Sequence, residues 1–310
     1  MRYERVDDPQ PRPGEVVVEV RAAGVNRRDL FVRRGVYPFP LPLVPGSDAA
    51  GVRRDTGEEV VVFPSLAWGE RDDAPGDDFR ILGGPDPGTY AELVAVPEEN
   101  VFPRPAGLSW EEAASFALAG VTAYRGLFAR AGLRTGETLL VLGAGSGLST
   151  MAVSLACDAG ARVLVTSSSG EKIDRTRALG AADGALYTED DWVEQIMALT
   201  DGRGCDVVFD SVGSTWPDSL RCLRKGGRLV VLGATGGTQV GLDVRAFYFG
   251  HISMLGTMMG SPRDFVPLLD SLDRGGWRPV VDSVHPLSEV EQAHARIEGA
   301  QHFGKLVLLP

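Results

Sequence analysis

The sequence predicts an α/β fold in two parts: an all-β first region followed by a doubly wound, six-stranded parallel sheet. Three observations carry this. Short β-branched runs separated by Gly and Pro fill the first hundred residues. Six near-continuous apolar runs then alternate with helical segments. A glycine-rich turn joins the first of these runs to the helix after it.

In the first region EVVVEVRAAGV (15–25), EEVVVF (58–63) and TYAELVAVP (89–97) read as strands. The pattern then changes. Ser109 has the character of a helix N-cap, and Glu112 three positions on completes a capping box ahead of an apolar run. A domain boundary is therefore expected near Gly107. The six later strands are TLLVL (138–142), RVLVT (162–166), GALY (184–187), DVVFD (206–210), RLVVL (228–232) and ISMLG (252–256). Between the first two, Leu148, Met151, Ala152, Leu155 and Ala159 fall at helical spacing. Beyond Gly260 a helix (264–274) and a closing strand, KLVLL (305–309), are expected to return to the first region. The domains so drawn are 1–107 completed by 260–310, and 108–259.

Composition narrows the function. A formal charge of −11 disfavours nucleic acid and anionic membrane as partners, since both call for a basic field. No apolar run reaches the roughly 20 residues of a membrane span, and MRYERVDDPQPRPG has no signal-peptide core, so a cytoplasmic location is expected. The 3 cysteines form no C-x-x-C pair and no disulfide framework. Only three lysines, Lys172, Lys225 and Lys305, stand among 31 basic residues, which makes each position worth following.

The turn VLGAGSG (141–147) lies between a strand and a helix, where glycines let backbone approach a phosphate and the helix N-terminus offers N–H groups. Gly143, Gly145, Ser146 and Gly147 are the candidate contacts. The spacing is also similar to an S-adenosylmethionine loop, and a tight turn without ligand would look the same. The end of the second strand discriminates. NAD and S-adenosylmethionine sites usually place a carboxylate there for the ribose hydroxyls. Here it reads Thr166-Ser167-Ser168-Ser169, followed by Lys172, which are donors and a cation suited to a 2′-phosphate. Glu171 lies past the strand end, and Lys172 could equally be an exposed helix charge. NADPH is the expected cofactor. A methyltransferase would leave the β region and Lys172 unexplained.

Several segments together resemble the medium-chain dehydrogenase/reductase superfamily, and within it the zinc-free quinone oxidoreductases, the group that includes zeta-crystallin. They are AAGVNRRDLFVRRGVYPFPLPLVPGSDAAGV (22–52), LAGVTAYRGLF (118–128), the glycine turn, DSVGSTW (210–216), GTMMGSPRDF (256–265) and FGKLVL (303–308). The resemblance implies a GroES-like β domain, a Rossmann domain and a cofactor in the cleft between them. It puts Asn26 and Asp29 beside the nicotinamide end and Thr122 against the ring. Ser167 and Lys172 would serve the 2′-phosphate side, with Tyr187 nearby. Ser211, Gly233, Ala234, Thr235, Gly256, Thr257 and Met258 would border the cofactor, and Lys305 belongs to the family's terminal G-K pair. Asp210 and Ser211 also read as a strand-end cap, and Thr122 as a helix-interior hydroxyl bonding its own backbone. Ser146 and Ser149 stand where the family carries glycines. The start is short by about one strand, with MRYERV reading as the second strand of the usual opening. A homodimer is implied, with ISMLG pairing at the sheet edge, which also has a physical motive because an apolar edge strand is a liability.

Zinc members of the superfamily take a ligand from a G-V-C segment, and the Glu of their G-H-E segment lies beside the metal. Here these read Gly24-Val25-Asn26 and Gly46-Ser47-Asp48, with no sulfur or imidazole. The Cys-rich lobe is replaced by AWGERDDAPGDDFRILGGPDPG, and the four histidines (His251, His285, His294, His302) show no ligand spacing. No metal is expected. Without a Lewis acid, quinones and α,β-unsaturated carbonyls are better acceptors than ordinary carbonyls. Asn26 would donate an amide hydrogen bond, and Tyr37 would donate or relay a proton, or line an apolar substrate site with Phe39. The reading is an NADPH-dependent reductase of a small quinone or conjugated carbonyl. A non-catalytic NADPH-binding protein of the same fold is the alternative.

Overall fold

The computed structural model describes residues 1–310. In chain order the elements are β1 (Glu15–Val25), α1 (Arg27–Arg33), β2 (Asp48–Arg53), β3 (Glu59–Val62), the short pair β4 (Ser65–Leu66) and β5 (Arg80–Ile81), β6 (Leu93–Pro97) and β7 (Val101–Pro103). Then come α2 (Trp110–Ala113), α3 (Ala117–Tyr124) running on into a π-helical turn (Arg125–Arg130), β8 (Thr138–Val141), α4 (Gly147–Asp158), β9 (Arg162–Ser167), α5 (Gly170–Arg177) and β10 (Asp183–Leu186). The chain continues through α6 (Trp192–Leu199), β11 (Cys205–Asp210), α7 (Trp216–Arg221), β12 (Leu223–Val231), α8 (Val244–Phe249), β13 (Ser253–Gly256), α9 (Pro262–Asp273), β14 (Val281–Pro286), α10 (Val290–Glu298) and β15 (Lys305–Leu309).

The chain forms two compact units, Met1–Val121 with Gly260–Pro310, and Thr122–Met259. The first holds a seven-stranded sheet in the order β14-β15-β1-β2-β3-β7, with β6 also paired to β1. Alternate residues of β1 point inward, so Val16, Val18 and Val20 meet Val60, Val62, Val94 and Val96 in one core. The closing strand β15 pairs antiparallel with β1, as the hydrophobic KLVLL predicts.

The division falls at Val121 rather than near Gly107. The capping box is real: Ser109 N–H donates to Glu112 Oε2 at 2.9 Å, and Ser109 Oγ accepts from Glu112 N–H at 3.2 Å. The helix it opens is only four residues long and packs on β1 and β2, so it belongs to the β unit. MRYERV is not a strand. It is exposed throughout and pairs with nothing in the sheet, its charges at Arg2, Glu4 and Arg5 being solvated. Thr89 and Tyr90 precede β6 rather than extend it, because their hydroxyls are tied to Asp48 and Asp29. β12 starts at Leu223, ahead of the apolar RLVVL, with a register shift against β11 that absorbs Lys225-Gly226-Gly227.

The second unit is a six-stranded, all-parallel sheet in the order β10-β9-β8-β11-β12-β13. β8 and β11 are buried along their whole length, which explains their unbroken apolar runs. Successive strands step outward in one direction from β8 and in the other from β11. The carboxyl ends at that reversal form the usual ligand crevice of a doubly wound sheet.

Candidate active site

At the carboxyl edge of the parallel sheet the structure gathers most of the expected cofactor residues. The turn after β8 has Gly143 at φ +69 and Gly145 at φ +105, conformations that side chains resist. A Cβ built on Gly143 would meet nothing within 4 Å, so the backbone there is open to a phosphate. Ser146 is the N-cap of α4 and its hydroxyl accepts from Ser149 N–H at 3.0 Å. The buried Ser149 hydroxyl in turn donates to the carbonyls of Gly143 (2.9 Å) and Leu142 (3.2 Å). The two serines found in place of glycines thus brace the turn. The other N–H groups of the first helical turn are those a helix leaves without internal partners, and the turn geometry suits a dinucleotide's pyrophosphate.

Ser167 ends β9, and its buried hydroxyl accepts from Ser169 N–H at 3.2 Å. Ser168 is exposed, and Lys172 sits half-buried in the first turn of α5. Tyr187 follows β10 with its ring 48 % exposed, its N–H donating to Ser167 O at 3.0 Å. Asp210 ends β11 as a strand-end staple. One carboxylate oxygen accepts from Val212 and Gly213 N–H, and the other from Thr215 and Ser219 hydroxyls, at 2.7–3.1 Å. Ser211 O accepts from the Thr235 hydroxyl at 3.2 Å, which ties the Gly233-Ala234-Thr235 turn to the end of β11. Gly256, Thr257 and Met258 close β13, and Thr257 N–H donates to Val231 O. Thr122 is buried in α3. An apolar groove of about 390 Å³ lined by Leu220, Leu242, Phe247 and Ile252 opens at the opposite, amino edge and is separate from these residues.

The β unit holds a second cluster. β2 and β15 flank the carboxyl end of β1, with Gly24 opposite Asp48 and Val25 opposite Leu306. Asn26 at the end of β1, Asp48 at the start of β2 and Lys305 at the start of β15 therefore converge. Lys305 Nζ donates to Asn26 Oδ1 (2.5 Å) and to Asp48 Oδ2 (3.1 Å), and Asn26 Nδ2 donates to Asp48 Oδ2 (3.0 Å). Leu118 N–H donates to the other Asp48 oxygen at 2.8 Å. Lys305 and Asp48 are 3 % and 0 % exposed, and Asn26 is 7 % exposed.

Asp29 lies behind them with no exposed surface, so it does not face a ligand directly. Its Oδ2 accepts from Asn26 N–H (2.8 Å) and Tyr90 O–H (2.7 Å), while Oδ1 has no partner. Burial pushes its carboxyl up to about 6, against the lowering effect of the Tyr90 hydrogen bond. Tyr37 shares none of the hydrogen bonds of this cluster. It is 43 % exposed in the loop after α1 and packs edge-to-face on Phe31 at 5.8 Å. Arg28 spans to Phe39 and to the carbonyl of Gly84 (2.8 Å), fixing that loop. His294, read as structural, is fully buried in α10 with neither ring nitrogen bonded, and burial lowers it to about 4.

Asp48, Tyr90 and the inward turn of Asp29 escaped the sequence reading. A signal for Asp48 existed: a carboxylate opening the otherwise small and apolar run DAAGV needs an internal cation, and the chain has few lysines.

The parallel-sheet unit has the carboxyl edge of a dinucleotide-binding fold, and the β unit carries a buried amide–carboxylate–ammonium group. Residues 12–106 match the alcohol dehydrogenase GroES-like domain, and residues 147–274 match the zinc-binding dehydrogenase family. A zinc-type alcohol dehydrogenase-like protein of Schizosaccharomyces pombe is 34 % identical over 99 % of this chain and 94 % of its own length. The quinone oxidoreductase of Pseudomonas aeruginosa is 32 % identical, over 100 % and 95 %. Among solved structures, an NAD-dependent alcohol dehydrogenase superposes with a TM-score of 0.93 at 35 % identity, covering 99 % of this chain and 95 % of that one. A 2-octenoyl-CoA carboxylase reductase in complex with NADP and 2-octenoyl-CoA gives 0.90 at 26 % identity, over 98 % and 80 %. The chain belongs to the medium-chain dehydrogenase/reductase superfamily of oxidoreductases.

The zinc that one family description implies does not fit the donors here. No three His, Cys, Asp or Glu side chains are grouped to hold a metal ion. At Asn26 the donors are an amide and a carboxylate, and the Lys305 ammonium already neutralises the carboxylate.

Proposed function

We propose that this protein is a metal-independent, NADPH-dependent reductase of quinones or α,β-unsaturated carbonyls. The observation that carries the cofactor choice is the end of β9. It presents the exposed Ser168 hydroxyl with Lys172 on the next helix, beside the buried Ser167, where a dinucleotide site for NAD would usually have a carboxylate. The reductase in complex with NADP and an enoyl-CoA supports the same choice and a conjugated acceptor. In this reading Gly143, Gly145, Ser146 and Gly147 hold the pyrophosphate, Lys172 and Tyr187 serve the 2′-phosphate side, and Thr122, Ser211, Gly233, Ala234, Thr235, Gly256, Thr257 and Met258 line the remainder. NADPH supplies the hydride. Asn26 donates a hydrogen bond to the acceptor oxygen as negative charge develops there, and Tyr37 is the proton donor or relay. Asp29 acts through Asn26 by holding its backbone.

The deciding experiment is NADPH against NADH consumption with a panel of quinones and enones, with metal content measured on the same sample. NADPH preference and turnover on a conjugated acceptor are expected. A preference for NADH would refute the cofactor assignment, and cofactor binding without turnover on any acceptor would refute the reductase.

A homodimer through the β13 edge belongs to the same proposal. No residue of α8 is buried, and Val244, Tyr248, Phe249 and Met258 are exposed near that edge. No helix is long and apolar enough to cross a membrane, in keeping with a cytoplasmic location. Sedimentation as a monomer at micromolar concentration would refute the dimer.

A further inference from the structure

The hydrogen bonds at Asn26 have a polarity that its own chemistry does not set. An asparagine amide can flip by a half-turn, exchanging an acceptor for a donor at nearly constant shape. Here Oδ1 lies on the Lys305 ammonium and Nδ2 on the Asp48 carboxylate. The flipped amide would set N–H against an ammonium and an oxygen against a carboxylate, losing two charge-assisted bonds at once. Asp48 is in turn fixed by Leu118 N–H and by Lys305. Nδ2 carries two N–H groups and only one is spent on Asp48, so a single N–H remains, with a defined direction. Stability alone does not call for such an arrangement, since buried ion pairs can often be replaced by apolar residues at no loss.

We propose that Lys305 and Asp48 are positioning residues that lock the Asn26 amide in one flip state, so that it always presents a donor to the acceptor oxygen. This rests on the proposed reductase reading, in which Asn26 is that donor. It gives Lys305 a role inside the β unit rather than as a cofactor ligand. The ammonium also draws charge from Oδ1 and makes the remaining N–H a better donor.

The chain offers an unusually direct test, because it has only two asparagines, Asn26 and Asn100. Asn100 donates both ways to backbone carbonyls of Phe63 and Ser65, far from any ammonium in its bonding, and serves as an internal reference. Protein labelled with ¹⁵N only at asparagine therefore shows two side-chain amide groups, and loss of one pair in Asn26→Asp assigns them. The variants are Lys305→Met and the double change Lys305→Met with Asp48→Ala, which removes both charges, leaves none buried alone and adds no third asparagine.

In the double variant the Asn26 amide protons are expected to exchange with solvent at least tenfold faster and to shift, while the Asn100 pair stays in place. On the best acceptor of the panel kcat falls about 10- to 100-fold, with KM for NADPH within twofold, as befits a misaligned donor. Lys305→Arg, which keeps the cation, recovers part of that loss. Unchanged Asn26 exchange and shifts in the double variant, or kcat within twofold of wild type, overturn the proposal. Wild-type protein that turns over no acceptor overturns the reductase reading instead, while the amide spectra still decide the lock.

Discussion

Asp29→Asn gives a prediction whose sign is fixed by one buried carboxyl. In the folded protein this group sits at about 6, whereas its ordinary value is 3.8, because burial disfavours the charged form more than its hydrogen bonds favour it. The folded state therefore binds more protons than the unfolded state between these values. Stability from this group is fully present below about pH 4 and is lost as pH rises through 6, by about 3 kcal/mol in total. An amide at the same place still accepts from Asn26 N–H and Tyr90 O–H and does not titrate. It also leaves an unpaired donor where Oδ1 now lies, at a cost of about 1–3 kcal/mol that does not change with pH. The variant's melting temperature should thus gain on wild type by about 5–10 °C between pH 4 and pH 8, read by differential scanning fluorimetry in a constant-ionic-strength buffer series. The difference between the two proteins is the quantity that matters, because His294 titrates in the same range. Parallel melting curves across that range would show that Asp29 ionises normally and that its burial has been misjudged.

His294→Leu should flatten the acid limb of stability. Burial holds the imidazole at about 4, so wild type loses about 3 kcal/mol as pH falls from 6.5 through 4, and melts of the leucine variant over pH 4–7 would expose any failure of this. Lys172→Ala should raise KM for NADPH about tenfold or more while leaving NADH nearly unaffected; equal effects on both cofactors would remove Lys172 from the 2′-phosphate side. Asp210→Ala strands two N–H groups and two hydroxyls and should destabilise by about 3 kcal/mol in urea titrations. Ser109→Ala should cost only about 1 kcal/mol in the same assay, since it removes one N-cap bond from a short helix.

The architecture was legible in the sequence where a single physical pattern dominates. β1 and β15 begin and end where their apolar runs do, and the parallel strands announce burial on both faces by unbroken Val and Leu. The glycine turn was legible because its residues are adjacent in the chain. The polar cluster was only half legible. Asn26 and Lys305 stood out by type and motif, but their partner Asp48 comes from a third strand, and only the pairing of β1 with both β2 and β15 brings it in. Asp29 was read as facing a ligand, yet nothing in NRRD says which way a capping carboxylate turns; Tyr90, sixty-one positions away, decides that. The opening MRYERV shows the converse, an alternating stretch with no strand beside it to pair with.

The β unit is discontinuous, Met1–Val121 being completed by Gly260–Pro310, and this sets a timetable for its making. During synthesis the continuous Thr122–Met259 unit can close on itself as it emerges, while β1 must wait for β15. At ordinary elongation rates that delay is roughly 15–60 s. Through it Asn26 and Asp48 exist without their ammonium, which arrives on Lys305, the first residue of the last strand. The donor group of the proposed active site thus cannot form until β15 has been made and paired with β1.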